Sequence, residues 1–377
     1  MKYFDHNATS PVPPAILEAM SPYLGSANAS SRHNAGRIAR RAIDEARERV
    51  ALAAGAHPSQ VFFTSGGTES DNMAVKGLCA LQGPSQLAIS SIEHPAVKKA
   101  ALAMRRQGWQ INLLGVDSTG VLPVEVATEA LQVPTGLLSV MLANNETGVV
   151  QNVSAIAEIA QRKGVMFHTD AVQALGKLPL SFAELNRCGV QAMSLSGHKI
   201  GGPQGAGALV LDKRLDIWPL LHGGSQEKGL RAGTENVAAI VGFGAACELL
   251  PQRSRQALRQ MRDTLETGIR QLGGVIFGAE AERLPNTSFF AFPGVDGETL
   301  VMALDKAGFA VASGSACSSD SSDPSPVLLA MGISPELAQG AVRVSFGWSN
   351  TMAAVQEFIQ ALNTELQRLR QYAAVTA

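Results

Sequence analysis

The sequence predicts an α/β protein with a largely parallel sheet. Short apolar runs that end in small or polar residues recur along the chain, and stretches with helical spacing lie between several of them. This alternation is typical of βα units. The runs lie at 61–63, 87–89, 137–142, 165–167, 193–195 and 208–211.

The length of the chain predicts more than one domain. A single hydrophobic core rarely extends over 377 residues. Near Pro251 the composition changes to a charged helix rich in Gln and Arg. We therefore predict a large domain at residues 14–250 and a smaller α+β domain formed by residues 1–13 plus 251–377.

Three elements are expected in the smaller domain. The charged helix should run to about Leu272, and a strand-like run follows at 275–277. Apolar residues recur with helical spacing from Val355 to Leu369, which predicts a final helix laid on a sheet.

The composition excludes several classes of protein. Lys and Arg (31) nearly balance Asp and Glu (32), so no overall field attracts nucleic acid or a membrane surface. No apolar run approaches the length of a membrane span, and the first residues carry no export signal, so a cytoplasmic location is expected. Four cysteines without a C-x-x-C pair argue against a disulfide framework and a cysteine-based zinc site, and no metal is expected; they are Cys79, Cys188, Cys247 and Cys317.

Lys199 follows one predicted strand, and Asp170 ends another. Lys199 comes after the run at 193–195, and Asp170 ends the run that begins at Val165. Such a pair suits a pyridoxal phosphate site, in which the lysine forms a Schiff base and the carboxylate keeps the pyridine nitrogen protonated. A surface lysine and a helix-capping aspartate would explain either residue alone, so the prediction depends on the residues that come after the other strands.

A loop rich in small residues, 65–72, follows the first predicted strand. Gly67 followed by Thr68 at a helix start would let backbone N–H groups approach an anion, and the helix dipole favours negative charge. We predict a phosphate cradle here, before a helical stretch from Met73; an ordinary turn capped by Thr68 is the alternative. The loop does not match a P-loop, and no glycine triplet matches a dinucleotide-binding fingerprint.

Polar side chains also follow other predicted strands. His94 and Asn145 come after two of them, and Gln173 lies three residues past Asp170. Ligands of open α/β sheets bind at the carboxyl edge of the strands, where these groups should converge. A histidine there is more often a capping or packing residue, but convergence of several polar groups indicates a ligand site.

Cys317 and Arg343 are the candidate functional residues of the smaller domain. Cys317 lies in a segment rich in Ser, Gly and Asp, which predicts an exposed and reactive thiol, whereas the other three cysteines lie in apolar helical runs and should pack. Arg343 sits in an alternating strand pattern and needs a carboxylate partner, from the protein or from a substrate.

Together these segments resemble the cysteine desulfurases, a pyridoxal phosphate-dependent group within the class V aminotransferases. The resemblance extends from Phe4 to about Ser349, and its most specific parts lie at 64–72, 196–203 and 313–317. It implies the aspartate aminotransferase-type fold, fold type I. It also implies that the segment around Cys317 is the long, flexible version of the family's catalytic loop.

The resemblance implies a role for each candidate. Lys199 would hold the cofactor, Asp170 would pair with its ring nitrogen, His94 would stack on the ring and shuttle protons, and Gln173 would reach the phenolic oxygen. The phosphate would be held by residues of this chain and by one from a second subunit, which implies a homodimer; they are Gly67, Thr68, Ser196, His198 and the second subunit's equivalent of Thr234.

The implied reaction converts L-cysteine to L-alanine. Arg343 and Asn145 would bind the substrate carboxylate, with Asn145 also contacting the cofactor. Cys317 as a thiolate would attack the substrate sulfur and keep it as a persulfide. The acceptor would be an iron–sulfur scaffold or a thiolation protein, and Cys317 could ligate a cluster in such a complex.

Two departures and two alternatives accompany this resemblance. Ala29 stands where the family often has proline, and the tail after the last helix is shorter than in housekeeping members, which leaves a dedicated scaffold partner open. Another reaction on the same fold, such as that of an aminotransferase, a kynureninase-like lyase or a selenocysteine lyase, is the first alternative, and Cys317 argues against an aminotransferase. A non-catalytic sulfur-relay protein is the second, and Lys199 with Asp170 argues against it.

Overall fold

The structure is a computed structural model that describes residues 1–314 and 323–376. Its strands within these ranges are β1 (Lys2–Tyr3), β2 (Val61–Thr64), β3 (Gln86–Ser90), β4 (Gln110–Leu114), β5 (Thr135–Ser139), β6 (Met166–Asp170), β7 (Ala192–Ser196), β8 (Gly207–Leu211), β9 (Val275–Ile276), β10 (Thr287–Ala291), β11 (Phe309–Ala310), β12 (Ala312–Ser313) and β13 (Val342–Ser345). Its α-helices are α1 (Pro14–Met20), α2 (Asn34–Ala54), α3 (Gly67–Cys79), α4 (Pro95–Met104), α5 (Val124–Ala130), α6 (Val153–Arg162), α7 (Phe182–Arg187), α8 (Val237–Glu248), α9 (Arg255–Gln271), α10 (Gly297–Lys306), α11 (Pro326–Ala330), α12 (Pro335–Gln339) and α13 (Met352–Thr376).

The large sheet has seven strands in the order β2-β8-β7-β6-β5-β3-β4. Strand β8 runs antiparallel to both of its neighbours, and the other four pairings are parallel. The predicted α/β fold with a largely parallel sheet is therefore confirmed. Strands β6 and β7 are neighbours, so their carboxyl ends, at Asp170 and Ser196, lie side by side.

Both faces of this sheet are covered. On β8, Ala208 and Val210 join one apolar cluster, which includes α2 and α8, while Leu209 and Leu211 join another, which includes α3 and α4. This alternation follows from the period of two residues along a strand. A sheet buried on both faces leaves its strand ends as the place for polar side chains.

A separate apolar cluster lies around the second sheet, whose order is β12-β13-β10-β9. Helices α9, α10 and α13 contribute to this cluster, and Phe4 brings the N-terminal segment into it. The division into 14–250 and 1–13 plus 251–377 stays a prediction, which this separate cluster supports. Within the described ranges, no helix has both the length and the apolar character needed to cross a bilayer.

Phe358 belongs to the apolar cluster around the second sheet, and replacing it measures how much this packing contributes to stability. Its ring centroid lies 5.6 Å from that of Phe4 and 5.2 Å from that of Phe309, and its side chain is fully buried. Phe358→Ala should lower the free energy of unfolding by about 3 to 5 kcal/mol, because it removes buried apolar surface and leaves a cavity. Denaturant titration measures this, with the exposed Gln360→Ala on the same helix as the control. Equal stability of the two variants would contradict this packing of Phe358.

Candidate active site

A cavity of about 510 Å³ lies at the carboxyl ends of β6 and β7. It is bounded on other sides by β13 and by the N-terminal segment. Ten residues that the sequence singled out line it: Gly67, Thr68, His94, Asn145, Asp170, Gln173, Ser196, His198, Lys199 and Arg343. The structure therefore brings together residues that are spread over most of the chain.

Lys199 lies on a short 3-10 turn, Gly197–Ile200, directly after β7. Gly201 follows with a φ of 80°, a conformation that glycine adopts without strain, so the chain can turn sharply at the cavity. The Lys199 Nζ atom donates to the backbone oxygens of Asn7 at 2.7 Å and Ala8 at 2.8 Å. The amine is thus held at the cavity by the N-terminal segment.

Asp170 belongs to a group of three buried carboxyls. Burial raises the pKa of Asp170 to about 6, although a 2.9 Å hydrogen bond from the Val172 N–H and the charge of Lys199 lower it. Burial and the neighbouring Asp170 raise the pKa of Asp71 and of Glu93 well above their usual values. With a pKa of about 6, Asp170 is ionised at neutral pH, where the charge of Lys199 stabilises its carboxylate.

His94 caps helix α4, and its Nδ1 atom accepts the Ala96 N–H at 3.1 Å. Burial and the nearby Lys199 lower the pKa of His94 to about 4. The neutral ring, with Nδ1 accepting, carries its hydrogen on Nε2. His94 is therefore both a helix cap and a residue that lines the cavity, the two roles that the sequence offered as alternatives.

The predicted anion cradle lies at the start of α3. This helix begins at Gly67 and contains the predicted helical stretch from Met73. Glu69 accepts the Ser65 N–H at 2.8 Å and so stabilises this start. Thr68 lies in the first turn and is not the cap residue. The first N–H groups of a helix have no acceptor within it, so they are available to an anion.

Ser196 and His198 complete this side of the cavity. Ser196 Oγ is buried and has no hydrogen-bond partner within the part of the chain that the structure describes. Burial, Lys199 and Lys177 lower the pKa of His198 to about 4, and its Nδ1 atom lies 3.1 Å from Thr9 Oγ1. A buried hydroxyl without a partner indicates that a ligand supplies one.

Arg343 lines the cavity from β13. One of its terminal nitrogens donates to Asp5 Oδ1 at 2.7 Å and the other to the backbone oxygen of Asn145 at 3.0 Å. The carboxylate partner that the sequence required is therefore Asp5. The buried Arg343 Nε has no hydrogen-bond partner in the described ranges, so the guanidinium retains a donor.

The N-terminal segment is the part of the site that sequence reasoning missed. Asp5, Asn7 and Ala8 line the cavity. Asn7 is buried, and its amide donates to the Asn145 backbone oxygen at 3.1 Å and to Thr287 Oγ1 at 2.9 Å. An irregular segment has no periodicity that would have indicated these contacts.

Two predicted site residues do not line this cavity in the described chain. Thr234 is exposed, shortly before α8. Cys317 lies in 315–322, outside the described residues. Of the other cysteines, Cys79 and Cys247 are buried as predicted and Cys188 is half-buried; burial raises the pKa of Cys79 to about 12.

A mixed sheet with a lysine, an acid and a helix start at one edge defines an enzyme of the aminotransferase type. The family model described as Aminotransferase class-V matches residues 2–358. A cysteine desulfurase IscS from Methanosarcina thermophila is 40% identical over 99% of this chain and 94% of its own length. A cysteine desulfurase from Cereibacter sphaeroides is 42% identical over 98% of this chain and 96% of its own length. The chain belongs to the cysteine desulfurases of the class V aminotransferase family.

Solved structures agree with this assignment. A NifS-like protein superposes with a TM-score of 0.90 at 35% identity, over 98% of this chain and all (100%) of that one. The structure titled SspA in complex with cysteine has a TM-score of 0.84 at 33% identity, over 93% of this chain and 100% of that one. The predicted fold type I is confirmed.

Proposed function

We propose that this protein is a pyridoxal phosphate-dependent cysteine desulfurase that converts L-cysteine to L-alanine and carries the sulfur on Cys317. The convergence of Lys199, Asp170 and the start of α3 on one cavity is the observation that carries this proposal. The names of the relatives support the reaction, and the SspA structure with cysteine supports the substrate.

The donors and acceptors of the cavity fit pyridoxal phosphate. Lys199 would hold its aldehyde carbon, Asp170 would accept a hydrogen bond from its ring nitrogen, and Ser196 Oγ, which lacks a partner in the described ranges, would bind its phosphate with the N–H groups of α3. Such a cofactor, when bound, supplies an electron sink for charge that develops on the substrate. Asp170 lines the cavity with a pKa of about 6, so its carboxylate is ionised at neutral pH and can pair with the ring nitrogen.

Other residues of the site would orient the reacting groups. The His94 ring lines the cavity in its neutral form, so it can stack on the cofactor and present its Nε2 hydrogen. The Lys199 amine would also serve as a base for moving protons within the same cavity. Arg343 and Asn145, which contact each other at the cavity, would bind the substrate carboxylate.

A homodimer would complete the phosphate site. Thr234 is exposed and does not line the cavity of its own chain, which supports its assignment to the partner's phosphate. The segment before it exposes Trp218 (62%) and Leu221 (44%), and exposed apolar side chains close together are typical of an interface.

Both described flanks of segment 315–322 lie close to the cavity, which supports Cys317 as the sulfur carrier. Ala312 pairs with Arg343 across β12 and β13. On the other flank, Ser325 Oγ donates to Glu146 Oε2 at 2.5 Å, next to Asn145. Cys317 is three residues beyond Gly314, and three residues span up to about 10 Å.

The sulfur transfer is balanced without an outside oxidant. The Cys317 thiolate attacks the substrate sulfur, the carbon–sulfur bond of the substrate breaks, and the electron pair and a proton go to the carbon that becomes the alanine methyl group. The protein gains one sulfur atom as a persulfide. We propose a cytoplasmic location and a protein acceptor, an iron–sulfur scaffold or a thiolation protein, with Cys317 able to ligate a cluster in that complex.

Arg343→Gln tests whether Arg343 binds the carboxylate of the substrate. Wild-type protein with L-cysteine and a dithiol should release alanine and sulfide in equal amounts. Arg343→Gln should raise the KM for L-cysteine by about 10- to 100-fold, because a charge-assisted hydrogen bond to the carboxylate is lost. Steady-state kinetics of alanine release measure both values. A wild-type protein that forms no alanine would refute the proposed function.

Two controls separate carboxylate binding from general damage. Arg262→Gln removes a mostly buried guanidinium that donates to the Leu284 backbone oxygen and does not line the cavity, so its KM should match the wild type. Cysteamine lacks the carboxylate of cysteine, so its inhibition constant should be equal in the wild type and in Arg343→Gln. If Arg343→Gln weakened cysteamine binding as much as it weakened cysteine binding, the defect would not lie in carboxylate binding.

A further inference from the structure

Lys177 is a buried lysine to which the proposed reaction assigns no role. It is 3% exposed and lies in the turns that follow β6. Burial, with the charges of Lys199 and Arg343, lowers the pKa of Lys177 well below its usual value. It forms no salt bridge with any carboxylate in the described ranges. A buried amine in such a place needs acceptors, which the protein supplies as amide oxygens.

The Lys177 amine contacts two side-chain amides. Its Nζ atom donates to Gln173 Oε1 at 2.6 Å and to Asn7 Oδ1 at 3.0 Å. A lysine amine in its charged form can only donate, and its neutral form still has two N–H groups for these two oxygens. Both contacts therefore hold in either charge state.

These contacts determine which way the Gln173 amide faces. The two ends of an amide differ only in donating or accepting, and a donor at one end requires the oxygen there. With Oε1 on Lys177, the Gln173 NH₂ group faces the other way; one of its hydrogens goes to the Asn7 backbone oxygen at 3.0 Å. Gln173 lines the cavity, and the second hydrogen has no acceptor among the described residues.

Asn7 is oriented by the same amine. Its Oδ1 atom accepts from Lys177 and from Asn286 at 3.2 Å, so its NH₂ group faces Asn145 and Thr287. The Asn7 backbone oxygen in turn accepts from Lys199 Nζ. The buried Lys177 amine thus connects the side-chain amides of Asn7 and Gln173, which both line the cavity.

We propose that Lys177 is a positioning residue that orients the Gln173 amide, so that its NH₂ group and not its oxygen meets the phenolic oxygen of the cofactor. The inference rests on the proposed function and on the role that the family resemblance implies for Gln173, contact with that oxygen. A donor there stabilises negative charge on the phenolic oxygen and so favours the deprotonated form of the bound cofactor. Losing the donor should raise the pH at which the visible absorbance changes.

The test compares Lys177→Met, Gln173→Ala and the double variant by pH titration of the visible absorbance. Lys177→Met keeps an unbranched side chain, one atom shorter, but removes its donors. The midpoint pH should rise by about 0.5 to 1 unit in each single variant, the size expected from one weakened hydrogen bond. The double variant should equal Gln173→Ala, because Lys177 acts through Gln173. Shifts that add in the double variant would overturn the inference, as would an unchanged midpoint in Lys177→Met beside a raised one in Gln173→Ala.

A second variant keeps the test decisive if Lys177→Met does not fold. Gln173→Glu leaves Lys177 in place and pairs with it, while the group that faces the cavity changes from a donor to an acceptor. Its midpoint should also rise, and an unchanged midpoint would contradict the assigned orientation. A Gln173→Ala midpoint equal to the wild type would refute the contact of Gln173 itself. Failure of the proposed function is recognised separately, by the absence of alanine release from the wild type.

Discussion

Replacing Lys199 by alanine should remove the visible absorbance of the purified protein and lower alanine formation from L-cysteine by about 10³-fold or more. The substitution deletes the amine that would hold the cofactor and move protons at the substrate. The absorption spectrum and a steady-state assay of alanine measure the two effects. An unchanged spectrum in Lys199→Ala would contradict the assignment of this lysine.

The same variant should keep its fold, which makes its lost activity interpretable. Lys199 Nζ donates to the backbone oxygens of Asn7 and Ala8, and the Asn7 oxygen retains the Gln173 amide as a donor. We therefore expect a change in unfolding free energy of about 1 kcal/mol, the contribution of an ordinary hydrogen bond. Lys99→Ala, on the exposed face of α4, is the matched control and should keep both absorbance and activity.

The strands that could be predicted are those that contain an apolar run or, for β13, an alternating pattern. Strand β8, for example, reads Gly207-Ala208-Leu209-Val210-Leu211 and is buried throughout. Strands β4 and β10 were not predicted. Strand β4 lies at the edge of its sheet with mostly exposed or half-buried residues, and β10 buries the polar Thr287 and Ser288. Their positions are set by pairing with distant strands, which a local pattern does not indicate.

The same distinction separates the active-site residues that could be predicted from those that could not. Asp170 and Lys199 could be predicted because each lies at or just after the end of a recognisable strand, and the carboxyl edge of such sheets binds ligands. Asp5 and Asn7 lie in an irregular segment, and they reach the site by contacts over 338 and 279 residues of sequence, to Arg343 and to Asn286. Residues of that kind are found only when the chain is folded.

Cys317→Ser should keep the visible absorbance but lower sulfide and alanine formation from L-cysteine by about 10³-fold or more. Serine has nearly the shape of cysteine, but a hydroxyl at neutral pH is a far weaker nucleophile than a thiolate. Spectra and product assays measure the two effects. Intact-protein mass spectrometry after incubation with L-cysteine should find one added sulfur atom on the wild type and none on Cys317→Ser. Cys188→Ser, at a half-buried thiol, is the control and should behave as the wild type.

The two substitutions separate the activation of sulfur from its removal. Lys199→Ala should lose the absorbance and the added sulfur together, because no substrate would be activated. Cys317→Ser should still change its spectrum when L-cysteine is added, because Arg343, Asp170 and Lys199 are all in place. Sulfide release that persists in Cys317→Ser with a dithiol present would mean that small thiols attack the activated sulfur directly. Cys317 would then be dispensable as the nucleophile, and its flanks beside Arg343 and Glu146 would need another explanation.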